Sequence, residues 1–173
     1  MVDIVEELKD KARVLHGRVK HGDADALARV RSLPELRSLD DEALGREIQR
    51  KHCLTVLARE VGFSGWSHAV TVLDGRPAED MGTLLSPSGA SAHWNIWSAH
   101  YDEARSIRAE HGGYLLAYKR HFFIVDRYYI ETLGLDPDDE RWSRMARDWA
   151  RPADTEARRE LYAELIRQRL AAA

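Results

Sequence analysis

The chain has 173 residues, of which 44% are hydrophobic and 32% charged, with a formal net charge of -3 and a pI near 6.2. This is the composition of an ordinary globular protein, long enough to bury about two thirds of its unfolded surface. The near-neutral balance argues against a polyanionic partner, and a single cysteine, Cys53, excludes an intramolecular disulfide and every paired-cysteine zinc or redox motif.

Charge is not segregated along the chain: residues 1–74 carry 12 basic and 13 acidic side chains, and residues 75–173 carry 14 and 16. The start, Met1-Val2-Asp3-Ile4-Val5-Glu6-Glu7, has no basic region followed by an apolar one, and no window reaches the length of a membrane span. A soluble, cytoplasmic protein without a membrane partner is expected.

Taken in chain order, Ile4, Leu8, Val14, Leu15 and Val19 form a helical stripe ended by His21-Gly22. Asp23 caps a short helix carrying Leu27 and Val30, closed off by Pro34. Ser38-Leu39-Asp40-Asp41 has the spacing of a capping box, and Leu44, Ile48, Leu54, Leu57 and Val61 then predict one helix running to Gly62, with Phe63 as its hydrophobic clamp. Cys53 lies inside that helix and reads as a buried structural thiol. Ser64 caps a last helix through Trp66, Val70 and Leu73 that stops at Asp74-Gly75, and Trp66 is the expected anchor of the set.

The stretch Gly22-Asp23-Ala24-Asp25-Ala26-Leu27-Ala28-Arg29, followed by Leu57-Ala58-Arg59-Glu60-Val61-Gly62-Phe63-Ser64-Gly65-Trp66, resembles a short helical module. That module stands at the front of many bacterial ankyrin-repeat and glyoxalase-related proteins, and the resemblance covers roughly residues 3–74. The ankyrin Thr-Pro-Leu-His signature is missing and no 33-residue period recurs, so no ankyrin stack is inferred. The resemblance implies a helical module and brings no catalytic residues with it.

Residues 76–92, with two prolines, two glycines and three serines, read as a linker in which Leu84-Leu85 docks on a neighbouring surface. A helix is expected from about Trp94 to Glu110, stopped by His111-Gly112-Gly113. Tyr114-Leu115-Leu116-Ala117-Tyr118 and Phe122-Phe123-Ile124-Val125, separated by Lys119-Arg120-His121, predict a β-hairpin that must pack on helices to be stable. Tyr128–Leu133 forms a short helix ended by Gly134. Asp136-Pro137-Asp138-Asp139 starts another, with Asp136 as cap and Pro137 as its first residue, that runs to Pro152. A last helix from about Asp154 buries Leu161, Leu165, Ile166 and Leu170. The blocks His93-Trp94-Asn95-Ile96-Trp97, Gly112-Gly113-Tyr114-Leu115-Leu116 and Leu133-Gly134-Leu135-Asp136-Pro137-Asp138-Asp139 resemble a conserved bacterial protein type without an assigned activity.

The fold class expected is therefore α+β and predominantly helical: a helical module over residues 1–75, a linker over 76–92, and helices packed on a small hairpin over 93–173.

No recognised catalytic motif is present. Gly62-Phe63-Ser64-Gly65-Trp66 places Trp66 where a nucleophile elbow needs its second glycine, and neither a phosphate loop, a dinucleotide turn nor a His-Glu-x-x-His pair occurs. The acidic run Asp136, Asp138, Asp139, Glu140 lacks the glycine and the terminal glutamate of a calcium loop, and complements a helix dipole instead. His93, Trp97 and His100 fall at i, i+4 and i+7 of the expected helix, too far apart for one metal, so no metal and no cofactor is assigned. Polar groups among aromatic walls suit a ligand pocket, for which the candidate residues are His93, Asn95, Trp97, His100, Tyr118, Lys119 and His121. Arg141, Arg144, Arg147 and Arg151 share one helical stripe, flanked by Asp138, Asp139, Glu140 and Asp148. The reading that results is a non-catalytic binding or adaptor protein with a helical interaction module and a protein or small-molecule partner. A small-molecule-binding protein or hydrolase-like enzyme using residues 93–121 comes second, and nucleic-acid binding through the Arg stripe third.

Overall fold

The computed structural model describes residues 3–88 and 90–172, so Met1 and Val2 of the N-terminal stretch and Gly89 of the expected linker lie outside the described residues. The fold is α+β and mostly helical, with one small antiparallel sheet of three strands among the described residues. The chain forms two compact units, Met1–Val70 and Thr71–Ala173, whose boundary falls inside a helix, Trp66–Leu73.

The first unit is helical. α1 (Ile4–Lys20) starts at Asp3, whose carboxylate accepts the Val5 N–H at 2.9 Å, and α2 (Ala24–Val30) starts at Asp23, which accepts the Ala26 N–H at 2.9 Å. α1 buries Ile4, Leu8, Leu15 and Val19, but Val14 is 59% exposed, because the residue before Leu15 points about 100° off the buried stripe. The single helix expected from Asp41 to Val61 is in fact two, α3 (Asp41–Glu47) and α4 (Arg50–Glu60). Ile48 breaks the run with an extended ψ of 131°, and the Gln49 N–H donates to Nδ1 of His52 at the new start. The apolar period survives the break because α3 and α4 both present their buried faces to α1. A bidentate pair from Arg29 to Glu60, 2.9 and 2.7 Å, ties α2 to α4.

α4 closes as expected. Gly62 sits at φ 92, its N–H donates to Arg59, the Phe63 N–H donates to Ala58, and Phe63 is buried. α5 (Trp66–Leu73) follows; Ala69 donates to Gly65, which puts Gly65 at the cap, while the Ser64 hydroxyl meets Nδ1 of His68 at 3.0 Å. Trp66, the first residue of α5, is partly buried.

The second unit is built on the sheet. The stretch expected as one helix from Trp94 opens instead as a strand, β1 (Asn95–Ser98), and only then enters α6 (Tyr101–His111). β2 (Tyr114–Tyr118) and β3 (His121–Val125) form the expected hairpin, with β3 central in the order β1-β3-β2. Asn95 faces Val125 and Trp97 faces Phe123 across one ladder, and Tyr114 faces Val125 across the other. Two residues make the turn, with Lys119 at φ 51 in the place a glycine usually takes. The expected linker also pairs with this turn, Met81 donating to Lys119 and Lys119 to Gly82, and it buries Leu84 and Leu85.

One sheet face packs Leu115 and Ile124 against Ala104 of α6, with Tyr101, Ile107 and Phe122 around them. Alternation puts Tyr114, Leu116 and Phe123 on the other face. Phe123 meets Tyr129 of α7 (Arg127–Thr132) edge-on at 5.6 Å, and Tyr114 meets Trp142 of α8 (Glu140–Arg144) at 5.0 Å. Asp139, not Asp136, caps α8; Asp136 accepts from the Asp138 N–H in a turn ahead of it, so Pro137 is not the first helical residue. The expected helix to Pro152 ends at Arg144 because Ala146 and Arg147 take left-handed backbone, φ 55 and 52. This turn lets residues 147–149 pair along β2: Leu115 donates to Arg147 and Trp149 donates to Leu115. α9 (Thr155–Ala171), capped by Asp154, packs Trp149 against Tyr162 at 4.8 Å and leaves Leu170 only partly buried.

Candidate functional site

The helical face on which His93, Trp97 and His100 were expected to align does not exist, because β1 occupies its first half. The strand assembles a different group. The Trp97 indole lies flat on Phe123, with centroids 4.4 Å apart and planes 10° from parallel, and Tyr118 meets it edge-on at 5.8 Å. Its Nε1–H donates to Oδ1 of Asn95 at 2.8 Å, and Nδ2 of Asn95 donates to the His93 carbonyl at 2.8 Å. Lys119 places Nζ 5.5 Å from the Tyr118 ring centre, and His121 faces Tyr118 in register with its side chain exposed. Trp97, Asn95, Tyr118 and Lys119 thus form one connected surface.

Two predicted residues leave this group. His93 contributes its carbonyl to it, but its ring turns to α7, edge-on to Tyr129 and 2.8 Å from the Thr132 hydroxyl. That hydroxyl also lies 2.9 Å from the Tyr128 carbonyl, and its single proton serves one of the two contacts. His100 sits at the cap of α6, held by backbone contacts to Ser98, and its ring joins none of these contacts. A second hydroxyl–imidazole pair, Ser64 with His68, uses an Nδ1 that also accepts the Ser64 N–H at 3.1 Å, an arrangement that serves the start of α5. Among the described residues no three His, Cys, Asp or Glu side chains lie close enough together to hold a metal ion.

A separate cleft of about 250 Å³ opens where the three strands end. Trp94 precedes β1, His111, Gly112 and Gly113 precede β2, and Asp126 and Arg127 follow β3; Asp138 and Arg147 complete the rim, with Tyr114 as floor. Trp94 is 47% exposed and stands edge-on to His111 at 6.3 Å. The Arg147 guanidinium lies 5.0 Å from the centre of the Tyr114 ring, whose hydroxyl is fixed by donation to the Pro137 carbonyl at 2.8 Å. Burial pushes the Tyr114 hydroxyl above its ordinary pKa, so it stays a neutral donor. None of the seven predicted residues lines this cleft. The local sequence feature that marks this end of the sheet is the Gly112-Gly113 pair, which also stops α6.

The Arg stripe is not one helical face, since α8 ends at Arg144. Arg141 pairs with Asp139 and Glu164 at 2.5 and 2.6 Å, and Arg144 with Asp154 at 2.8 Å and Glu160 at 3.7 Å. Arg151 stacks 3.9 Å from the centre of Tyr101, whose hydroxyl donates to the buried Asp148. Burial first and this donation second push the Tyr101 hydroxyl up to about 12. Cys53 is enclosed in the first unit, and burial pushes its thiol up to about 11, far from a reactive thiolate.

No protein-family model matches this chain, and neither a curated protein nor a solved structure is significantly similar to it. No described helix is long and apolar enough to cross a membrane.

Proposed function

We propose that this protein works by binding a protein partner without covalent chemistry, with Trp97 as the anchor of its recognition surface. The helical first unit serves as a second interaction module, in keeping with the resemblance of residues 3–74 to a module shared by otherwise different bacterial proteins. The observation that carries the reading is the fixed, 45% exposed indole of Trp97, stacked on Phe123 and tethered by Asn95. An aromatic ring already held in one rotamer loses little entropy when a partner covers it. Tryptophan is also among the residues that most often dominate interface energies, at about 2 kcal/mol or more. The hydrolase-like alternative for residues 93–121 has less support, because the His93 ring turns to α7 and away from Asn95, Trp97, Tyr118 and Lys119.

Affinity capture from a lysate with the wild type, followed by titration of the purified partner against wild type and Trp97→Ala, tests the reading. The expected result is at least about tenfold weaker binding by the variant, with a melting temperature within a few degrees of wild type. Equal affinities, or turnover of a substrate at this surface, would refute it.

A further inference from the structure

We infer that the cleft at the strand ends is a binding site for a small planar anion, an aromatic carboxylate by class. The site stands on observations separate from Trp97 and does not depend on the reading above. Four charged side chains line the cleft, and three of them are committed within the protein. An Asp126 oxygen accepts the Tyr129 N–H at 3.1 Å as the cap of α7, and Asp138 and Arg127 pair with each other at 2.7 Å. Arg147 makes no ion pair among the described residues.

Its position is held by backbone as well as by the ring beneath it. The left-handed turn at Ala146 and Arg147 is uncommon for residues with side chains. It is fixed by the Arg147 N–H on the Trp142 carbonyl at 2.7 Å, the Leu115 N–H on the Arg147 carbonyl at 2.9 Å, and Arg108 on the Ala146 carbonyl at 2.6 Å. A guanidinium stacked on a ring keeps its N–H edges free, and those edges match a carboxylate with two parallel hydrogen bonds.

The walls set the rest of the ligand. Trp94 and His111 offer ring surfaces at the mouth, and both residues are exposed. A volume near 250 Å³ falls below the roughly 300–1,000 Å³ of drug-sized sites, which limits the occupant to about one ring system and its acid group. The two cleft carboxylates are offset by two guanidiniums, with Asp138 held by Arg127 and one Asp126 oxygen held by the cap of α7.

Isothermal titration of the full chain with indole-3-carboxylate, its uncharged carboxamide and inorganic phosphate tests the assignment. The carboxylate is expected to bind at least about tenfold more tightly than the carboxamide, a ratio ordinary for hydrogen bonds to a charged group. Arg147→Gln removes that preference, Arg147→Lys keeps part of it, and Trp94→Leu weakens the carboxylate but not phosphate. Trp97→Ala leaves all three unchanged, which separates this site from the proposed partner surface. No binding of the carboxylate at millimolar concentration, equal affinity for the carboxamide, or full affinity in a folded Arg147→Gln protein would each overturn the assignment.

Discussion

A Cβ at Gly113 would lie 2.4 Å from the backbone oxygen of Val125, an atom that cannot swing aside, and the residue holds φ 89. Its neighbour Gly112 has φ 75 but open space around the same position. Gly112→Ala therefore carries only the cost of a backbone, φ 75 and ψ -162, that glycine alone adopts readily, ~1–3 kcal/mol, whereas Gly113→Ala adds a clash at the sheet and is expected to cost more, ~3 kcal/mol or above. Urea unfolding of the two variants checks the order. Charge makes a second claim at this scale. The Asp139 carboxyl lies below its ordinary value of 3.8, chiefly through its hydrogen bond from Arg141. A folded-state pKa below the unfolded one contributes stability that is present above about pH 4 and is lost as pH falls further. Asp139→Asn retains the cap but not the pair. Its stability is expected to fall less than that of wild type between pH 5 and about pH 3, as read by chemical unfolding at each pH.

Elements were legible where a side chain states its own boundary. Asp23 and Asp154 each cap the helix that follows, and Gly62, Gly75 and Gly134 each end one with positive φ. The failures came where a decisive partner is distant in sequence. Asn95-Ile96-Trp97-Ser98 is a strand because β3, nearly thirty residues later, offers it an edge, so helical spacing through Trp97 was only apparent. The break at Ile48 left no mark because the apolar period continued across it. Even so, the two kinds of strand differ in weight. Ile124 on central β3 packs against Ala104 and Leu115, while Ile96 on the edge is only partly buried. Ile124→Ala is expected to cost ~2–5 kcal/mol and Ile96→Ala about half of that, measured as the difference in urea midpoint at constant slope.

For the whole molecule, the fold class could be read because apolar periodicity and the Tyr114–Val125 hairpin are both strong local signals. The cleft could not, because Trp94, Tyr114, Arg127 and Arg147 meet only through the sheet register and a turn that no residue type announced. The same turn dissolves the Arg stripe. Arg141 and Arg144, two of the four stripe arginines, are already paired to carboxylates, and the net charge of -3 adds no field that attracts a phosphate backbone. Labelled single-stranded and duplex oligonucleotides are expected to show no binding at physiological salt. Sub-micromolar affinity that falls steeply with salt and disappears in an Arg144→Gln, Arg147→Gln double variant would contradict this.

The two buried indoles of the second unit, Trp142 and Trp149, have centroids 5.6 Å apart and planes tilted by 47°. Chromophores that close, held skewed in one rigid geometry, share their excited states and absorb left- and right-circularly polarised light unequally as a coupled pair. The first unit contains a single tryptophan, Trp66, and has no counterpart to this signal. The ellipticity of the pair is thus an optical tag on one unit, while the peptide signal at helical wavelengths sums over both. Heating the intact chain and comparing the two traces reports whether the units melt as one cooperative block or in succession.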